Sequence, residues 1–288
     1  MTNEGSSAEA ARSEAIDVGR LSGASCLARV EYHLSLASTQ DRAHEIAAQA
    51  PAVEMPLLVV AEAQSAGRGR GANRWWTGAG SLAMSLLLDP IGWGLARRAS
   101  PERSLVAALA VIDAVAPRLQ GHAVGLFWPN DVFAAGRKLA GILIDVLPDG
   151  RHVLGIGMNV NNSLAQAPPD VQARGTSLFD LTGVRHDRTE LLLVIVERLE
   201  ARFRQLAGSP EELGREFHER CLQVGSRLTI RAGSRSTSGT CAGIAADGAL
   251  LIETPAGRQR FYSGVLEPSA GTPARSEKCQ ARPETGGV

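Results

Sequence analysis

Two stretches of the chain carry residues suited to holding a small, highly charged species. The first, Gly67 to Trp75 (GRGRGANRW), follows an apolar run. Its alternating glycines let backbone N–H groups approach an anion with no Cβ in the way, and Arg68 and Arg70 add planar donor forks matched to phosphate or carboxylate. The second, Trp128 to Ile142 (WPNDVFAAGRKLAGI), sets one lysine between a Pro-Asn-Asp turn and a run of Leu-Ala-Gly-Ile. Asp131 and Lys138 fall on either side of a hairpin containing Gly136, so a carboxylate and an ammonium converge. Lys138 lies in an otherwise apolar strand whose small members, Ala140 and Gly141, leave space for a ligand. Taken singly, a solvated basic loop and an ordinary β-turn explain the same residues.

Three lesser features accompany them. Gly155 and Gly157 weaken a strand unless something approaches it closely, a bulge being the alternative, and Asn159 follows with an amide able to face an adenine or ribose edge. Ser38 and Thr39 open a helix, where hydroxyls and free N–H groups cap the helix or meet a polar ligand head such as a ureido ring. Trp75 and Trp76 end the glycine–arginine loop, a position from which an indole can close over a ring. Gly67, Gly69 and Ala72 formally fit the dinucleotide fingerprint, but Asn73 to Gly80 lacks helical periodicity and offers no helix N-terminus for a pyrophosphate. A Walker A loop is excluded because no Gly-Lys-Ser/Thr follows.

The elements that must position these residues alternate. Strands are expected at Val30–Leu36, Leu57–Ala61, Ser81–Leu88, Val124–Phe127, Leu139–Val146 and His152–Val160, with a helix at Ser38–Ala50. Ser100-Pro101 supplies a cap and a first-turn proline for a helix whose Leu105, Leu109, Ile112, Ala116 and Leu119 recur at three- and four-residue spacing. The Pro148-Asp149-Gly150 turn makes the strands on either side antiparallel, so the sheet is mixed. Helices at Asp187–Ala207 and Pro210–Cys221 lead to short strands at Leu228–Arg231, Gly239–Ile244, Ala249–Glu253 and Arg258–Val265, a small β-barrel. The domain expectation is therefore a disordered tail over 1–27, a catalytic α/β domain over 28–222, the barrel over 223–268 and a second disordered tail over 269–288.

Composition narrows the function classes. With 288 residues and 44% apolar content the chain can bury a full core, and 30 Lys+Arg against 30 Asp+Glu give no bulk charge for gripping DNA or an anionic membrane. Anion recognition must be local. Cys26, Cys221, Cys241 and Cys279 form no metal-spaced pair, and the N-terminus has no signal-peptide pattern, which together imply a reduced cytoplasmic protein. The apolar stretch Leu105–Ala116 contains Asp113 and falls short of the about 20 apolar residues a membrane span needs.

Taken together, Glu62–Trp75, Trp128–Asp131, Arg137–Ile142 and Gly155–Asn159 resemble the biotin protein ligases, in order and in approximate spacing, over about residues 30 to 268. The resemblance implies a mixed sheet backed by helices, related to class II aminoacyl-tRNA synthetases, with an SH3-like C-terminal domain. It implies activation of biotin with ATP and Mg²⁺ to biotinyl-5′-AMP, then transfer to one lysine of a biotin carboxyl carrier domain. By correspondence with the family's motifs, Ser38, Thr39, Gln40 and Gln64 would bind the biotin head. Arg68, Gly69 and Arg70 would order around the acyl phosphate, and Lys138 would reach both the biotin carboxylate and the α-phosphate. Trp75, Asn130 and Asn159 would serve the adenylate, Gly141, Gly155 and Gly157 would line the pocket, and Asp131 would handle the acceptor lysine. Relative to the family, Ala37 and Gln40 replace the aspartate and asparagine of Asp-Ser-Thr-Asn, Gly71-Ala72-Asn73 replaces Arg-Gly-Arg, and Phe127 replaces a lysine. The residues before Ser38 lack helix-turn-helix periodicity, so a ligase without a DNA-binding domain is expected; a homodimer is compatible with the resemblance. A lipoate or octanoate transferase of the related fold is the alternative.

Overall fold

Seven strands form one mixed sheet in the order β1-β2-β3-β7-β6-β5-β4. They are Arg29–Leu36 (β1), Leu57–Gln64 (β2), Leu82–Leu88 (β3), Val124–Phe127 (β4), Asp131–Ala134 (β5), Arg137–Val146 (β6) and His152–Met158 (β7). The computed structural model describes residues 15–49 and 54–267. β1 runs parallel to β2 and every other neighbouring pair is antiparallel, as the turn signal at Pro148-Asp149-Gly150 requires between β6 and β7. β3 is buried at all seven positions, because a central strand covered on both faces has no solvent side to alternate with.

Both covers come from helices. Val18–Ser22 (α1), Thr39–Gln49 (α2) and Glu102–Val115 (α3) precede β4 in the chain. Pro169–Arg174 (α4), Leu178–Thr182 (α5), Arg188–Gly208 (α6) and Pro210–Arg220 (α7) follow β7. α3 and α6 pack together against one face, over Met84, Leu86, Leu154, Ile156 and Met158. α2 covers part of the opposite face, setting Ala43, Ile46 and Ala47 on Leu57, Val59, Leu87 and Val153. Because α2 begins at Thr39, the face beyond its N-terminus is free of helix, and the candidate site lies there.

The C-terminal strands Arg227–Ala232 (β8), Arg235–Ile244 (β9), Leu250–Thr254 (β10), Gly257–Phe261 (β11) and Val265–Glu267 (β12) form a five-stranded antiparallel sheet, as in an SH3-like domain. Trp128, 1% exposed, ties it to the first domain: its indole Nε1 donates to Gly248 O at 3.0 Å and its backbone N to Gln223 Oε1 at 2.8 Å.

The structure revises several sequence expectations. The N-terminal tail expected over 1–27 is structured from its described beginning, with Ile16, Leu21 and Leu27 in the core. Ile16 N and Asp17 N donate to Glu62 Oε1 and Thr189 Oγ1, and Arg20 pairs with Asp187 at 2.6 Å. Three apolar residues spread over twelve positions leave no periodicity to detect, although each finds a place against the sheet. Residues 1–14 and 269–288 lie outside the described part, as does Ala50 at the end of the expected second element. The α3 helix begins at Glu102, so Pro101 takes the cap position and the Ser100 hydroxyl bonds the Glu102 carboxylate instead of a helix N–H. Arg258–Val265 breaks into two strands, one ending at Phe261 and the next beginning at Val265, with Gly264 at a φ of 156° in the connection. β5, α4 and α5 are further elements, too short for a periodic signal. No described helix is long and apolar enough to cross a membrane.

Candidate active site

Strand register brings the small residues of distant motifs side by side. One row across the sheet aligns Asp131 with Gly141, Gly141 with Gly157, Gly157 with Ala83 and Ala83 with Ala61. The next row on the same face aligns Leu143 with Gly155 and Gly155 with Ser85. A floor of mostly small residues centred on Gly141, Gly155 and Gly157 results, since successive residues of a strand alternate faces and only alternate positions need be small.

Different side chains stand over the two ends of this floor. At the Gly155 end a buried polar chain runs along the α2 N-terminus. Gln40 Nε2 donates to Asp145 Oδ2 and to Val153 O, each at 3.0 Å, while its Oε1 fills the space a Gly155 side chain would take. Ser85 Oγ lies 3.0 Å from Gln40 Oε1 and 2.9 Å from Thr39 Oγ1. Gln64 Oε1 accepts from Thr39 N at 2.8 Å and lies 3.2 Å from Thr39 Oγ1, and Gln64 Nε2 donates to Thr77 Oγ1. Ser38, 2% exposed, accepts from Asp41 N as the helix cap. Three head-group candidates, Thr39, Gln40 and Gln64, are thus joined, together with three residues the sequence reading missed, Ser85, Asp145 and Thr77, while Ser38 stands beside them as the cap. Ser85 left a signal, as the one polar side chain in LAMSLLL.

At the other end Lys138 Nζ lies 2.7 Å from Asp131 Oδ1, above Gly141, where a methyl group would come within 3.2 Å of the ammonium. Burial pushes the Asp131 carboxyl above its ordinary pKa, against the opposing pull of Lys138 and Arg70. Between the ends the Trp75 indole rests on Gly157, with its ring centroid 5.7 Å from Lys138 Nζ and its buried Nε1 without a partner. The indole occupies the middle of the floor.

The glycine–arginine loop forms a small hairpin. Arg68 bridges to Arg74, Gly69 N donates to Asn73 O, Trp75 N to Gly67 O, and Asn73 Nδ2 to Arg70 O at 3.0 Å. Gly71 turns the tip with a φ of 65°. Asn73, a departure from the family pattern, therefore closes the turn. Gly67 is obligatory for another reason: a Cβ there would press on Trp75 O and Gln64 Nε2. Arg68 Nη1 pairs with Asp41 at 3.0 Å and approaches Asp145 at 3.6 Å, and Arg70 Nη1 donates to Gly264 O of the C-terminal domain at 3.3 Å. Both guanidinium groups are parked on the protein's own acceptors.

Two adenylate candidates are committed to structure. Asn130 Nδ2 donates to Ile142 O at 2.5 Å, locking the turn to β6, and buried Asn159 accepts from Asn162 Nδ2 at 3.0 Å. Phe127 stacks on Phe133 with centroids 4.2 Å apart, where the family pattern has a lysine. The described residues contain no group of three or more histidine, cysteine, aspartate or glutamate side chains placed to hold a metal ion.

Known proteins share the sequence and the fold of this chain. Residues 35–161 match the Biotin/lipoate A/B protein ligase family, and residues 224–265 match the Biotin protein ligase C terminal domain. The chain is 33% identical over 245 residues to the bifunctional ligase/repressor BirA of Bacillus subtilis, covering 82% of this chain and 73% of that one. It is 35% identical over 206 residues to the biotin--[acetyl-CoA-carboxylase] ligase of Mycobacterium tuberculosis, covering 68% and 73%. The structure of the Aquifex aeolicus biotin protein ligase in complex with biotin and ATP superposes with a TM-score of 0.74 at 28% identity, covering 84% of this chain and all of that one. On these matches the chain belongs to the biotin protein ligase family.

Proposed function

We propose that this protein activates biotin with ATP to biotinyl-5′-AMP and then transfers the biotinyl group to a lysine of the carrier domain of an acetyl-CoA carboxylase. The observation that carries the reading is Lys138: an ammonium held 2.7 Å from Asp131 over a glycine floor, in line with a buried polar pocket one row away. The ureido ring sits among Ser38, Thr39, Gln40 and Gln64, and the valerate arm lies along Gly155, Gly157 and Gly141 once Trp75 swings off Gly157. This brings the carboxylate to Lys138. Lys138 neutralises the carboxylate and the α-phosphate as they meet, stabilising the charge that concentrates when the carboxylate oxygen attacks phosphorus and pyrophosphate leaves.

Arg68 and Arg70 exchange their present partners for the phosphate oxygens, with Gly69 leaving its N–H close to the anion. Trp75, released from Gly157, packs on the adenine, while Asn130 and Asn159 hold the walls of the nucleotide end. Mg²⁺ accompanies the ATP phosphates and offsets their charge. In the second half-reaction Asp131, made more basic by burial, accepts a proton from the acceptor lysine, whose amine attacks the biotinyl carbonyl and expels AMP. ATP and carboxylase as substrates imply the cytoplasm.

Pyrophosphate release from biotin and ATP, followed by labelled-biotin transfer to the carrier domain, tests both halves. Transfer of lipoate in preference to biotin, or absence of pyrophosphate with carrier present, would overturn the reading.

A further inference from the structure

The row of small residues ends on an aromatic pair. Phe127 lies directly across from Asp131 in the β4–β5 pairing, on the face that carries the glycine floor, and Phe133 lies across from Lys138 in the β5–β6 pairing. Alternate residues of a strand share a face, so Asp131 and Phe133 point the same way. The two rings stack, with centroids 4.2 Å apart and planes 14° from parallel. Phe133 also pairs with Gly125, whose missing side chain leaves room for Leu222: a Cβ on Gly125 would lie 2.9 Å from Leu222 Cγ.

Phe127, Phe133 and Leu222 are each partly exposed, and none of the three belongs to either hydrophobic core. Interior packing therefore does not account for them. Apolar side chains scattered singly over a surface need no explanation, but three gathered beside a reactive pair mark a place where something docks.

The occupant follows from the neighbour. With the adenylate over Gly141, an acceptor lysine reaches Asp131 from the opposite side of the row, and Phe127 is that side. Cross-strand neighbours stand about 5 Å apart and successive residues of an extended chain about 3.8 Å, so a residue flanking the lysine comes down on the rings as the lysine enters. The rings offer no charge or hydrogen bond to an acidic flanking residue, which would lose water there without compensation. A lysine at this position, as in the family pattern, would attract such a residue; Phe127 reverses the preference.

We propose that Phe127 and Phe133, flanked by Leu222, set acceptor specificity in the transfer step by taking an apolar side chain adjacent in sequence to the lysine that receives biotin. This rests on a carrier lysine being the acceptor. The surface serves the second half-reaction alone.

The test uses the full-length protein and the carrier domain of an acetyl-CoA carboxylase from the same organism, with the residue on each side of its acceptor lysine set in turn to Leu and to Glu. Labelled-biotin transfer is measured for the wild type, Phe127→Ala, Phe127→Leu and Phe127→Lys. In the wild type, Glu at one of the two positions is expected to lower kcat/KM for the carrier about tenfold or more relative to Leu, the scale on which a hydrophobic pocket discriminates. Phe127→Ala raises KM for the Leu carrier about tenfold, with single-turnover transfer at saturating carrier and pyrophosphate release from biotin and ATP within about threefold of wild type. Phe127→Lys makes the Glu carrier the better acceptor, and Phe127→Leu keeps the wild-type order. Should Phe127→Ala not fold, Phe133→Ala is read the same way. Equal transfer to Leu and Glu carriers by the wild type at both positions overturns the proposal, as does a Phe127→Ala loss that falls on the saturating rate with KM unchanged. A wild-type protein that releases no pyrophosphate with biotin and ATP overturns the functional reading instead.

Discussion

The two ends of the glycine floor are built on different principles. At the Gly155 end Thr39, Gln40 and Ser85 are 4%, 3% and 0% exposed, and the polar atoms joining them bond to one another. The charged groups stand partly in solvent: Lys138 at the other end is 33% exposed and paired with Asp131, and Arg68, 42% exposed, is held by Asp41 beside the α2 N-terminus until a phosphate draws it away. A neutral ring is recognised by hydrogen-bond direction, which demands a rigid, dry lining. Phosphates are recognised by charge, which tolerates movable groups and requires them for the nucleotide to enter. The contrast separates where specificity is stored from where catalysis is assembled.

The largest expected effect breaks the charged end. Lys138→Ala should lower biotinyl-5′-AMP formation by about 10² to 10³ or more, the loss typical of one preorganised donor, and should lower the melting temperature only as far as the buried Asp131 carboxylate misses its partner. Near-normal pyrophosphate release would remove Lys138 from its role.

Next in size is Asp131→Asn, expected to slow transfer from preformed adenylate by about 10², the lower range for a positioned base. The same residue sets a pH dependence. Its carboxyl is raised by burial, and only the deprotonated form accepts a proton, so wild-type transfer should decline on acidification at a pH above the ordinary carboxylate value of about 4. Single-turnover transfer against pH reads this limb directly. A limb that survives in Asp131→Asn would assign it to another group.

Glycine substitutions sharpen the contrast between ends. Gly155→Ala drives a methyl into Oε1 of the Gln40 amide, which is anchored through Nε2 on Asp145 and Val153 O, whereas Gly157→Ala meets the Trp75 indole at the end of the glycine–arginine hairpin. The first should raise KM for biotin about tenfold and lower the melting temperature; the second should leave the melting temperature unchanged and alter tryptophan fluorescence as Trp75 is displaced. Equal effects at both positions would dissolve the distinction between a fixed and a movable end. The smallest change is expected from Asn73→Ala. It removes the Nδ2 bond to Arg70 O that closes the hairpin, and should speed loss of adenylate by about two- to threefold, measured as AMP release without acceptor.

Much of this was legible in the sequence. The mixed sheet, the α3 periodicity and the β6–β7 turn follow from local pattern, and the Asp131–Lys138 pair follows from a hairpin whose spacing leaves both side chains on one side. Gly141, Gly155 and Gly157 signalled a close approach because glycine within a strand is otherwise a cost. The N-terminal segment escaped notice because Ile16, Leu21 and Leu27 are apolar without period, and only the site each occupies gives them meaning.

Tertiary structure alone decided what shares the floor. Ser85, Gly155 and Gln40 are brought together by a register between β3 and β7 and by where α2 begins, relations between segments 45 to 115 positions apart that no local pattern encodes. The directions of the Gln40 and Gln64 amides were likewise settled only by the carbonyl, carboxylate and N–H that surround them. Residue types supplied the chemistry, since composition and spacing fix which groups are available. Strand pairing supplied the geometry, since hydrogen bonds and close contacts act over a few ångströms of space regardless of distance along the chain.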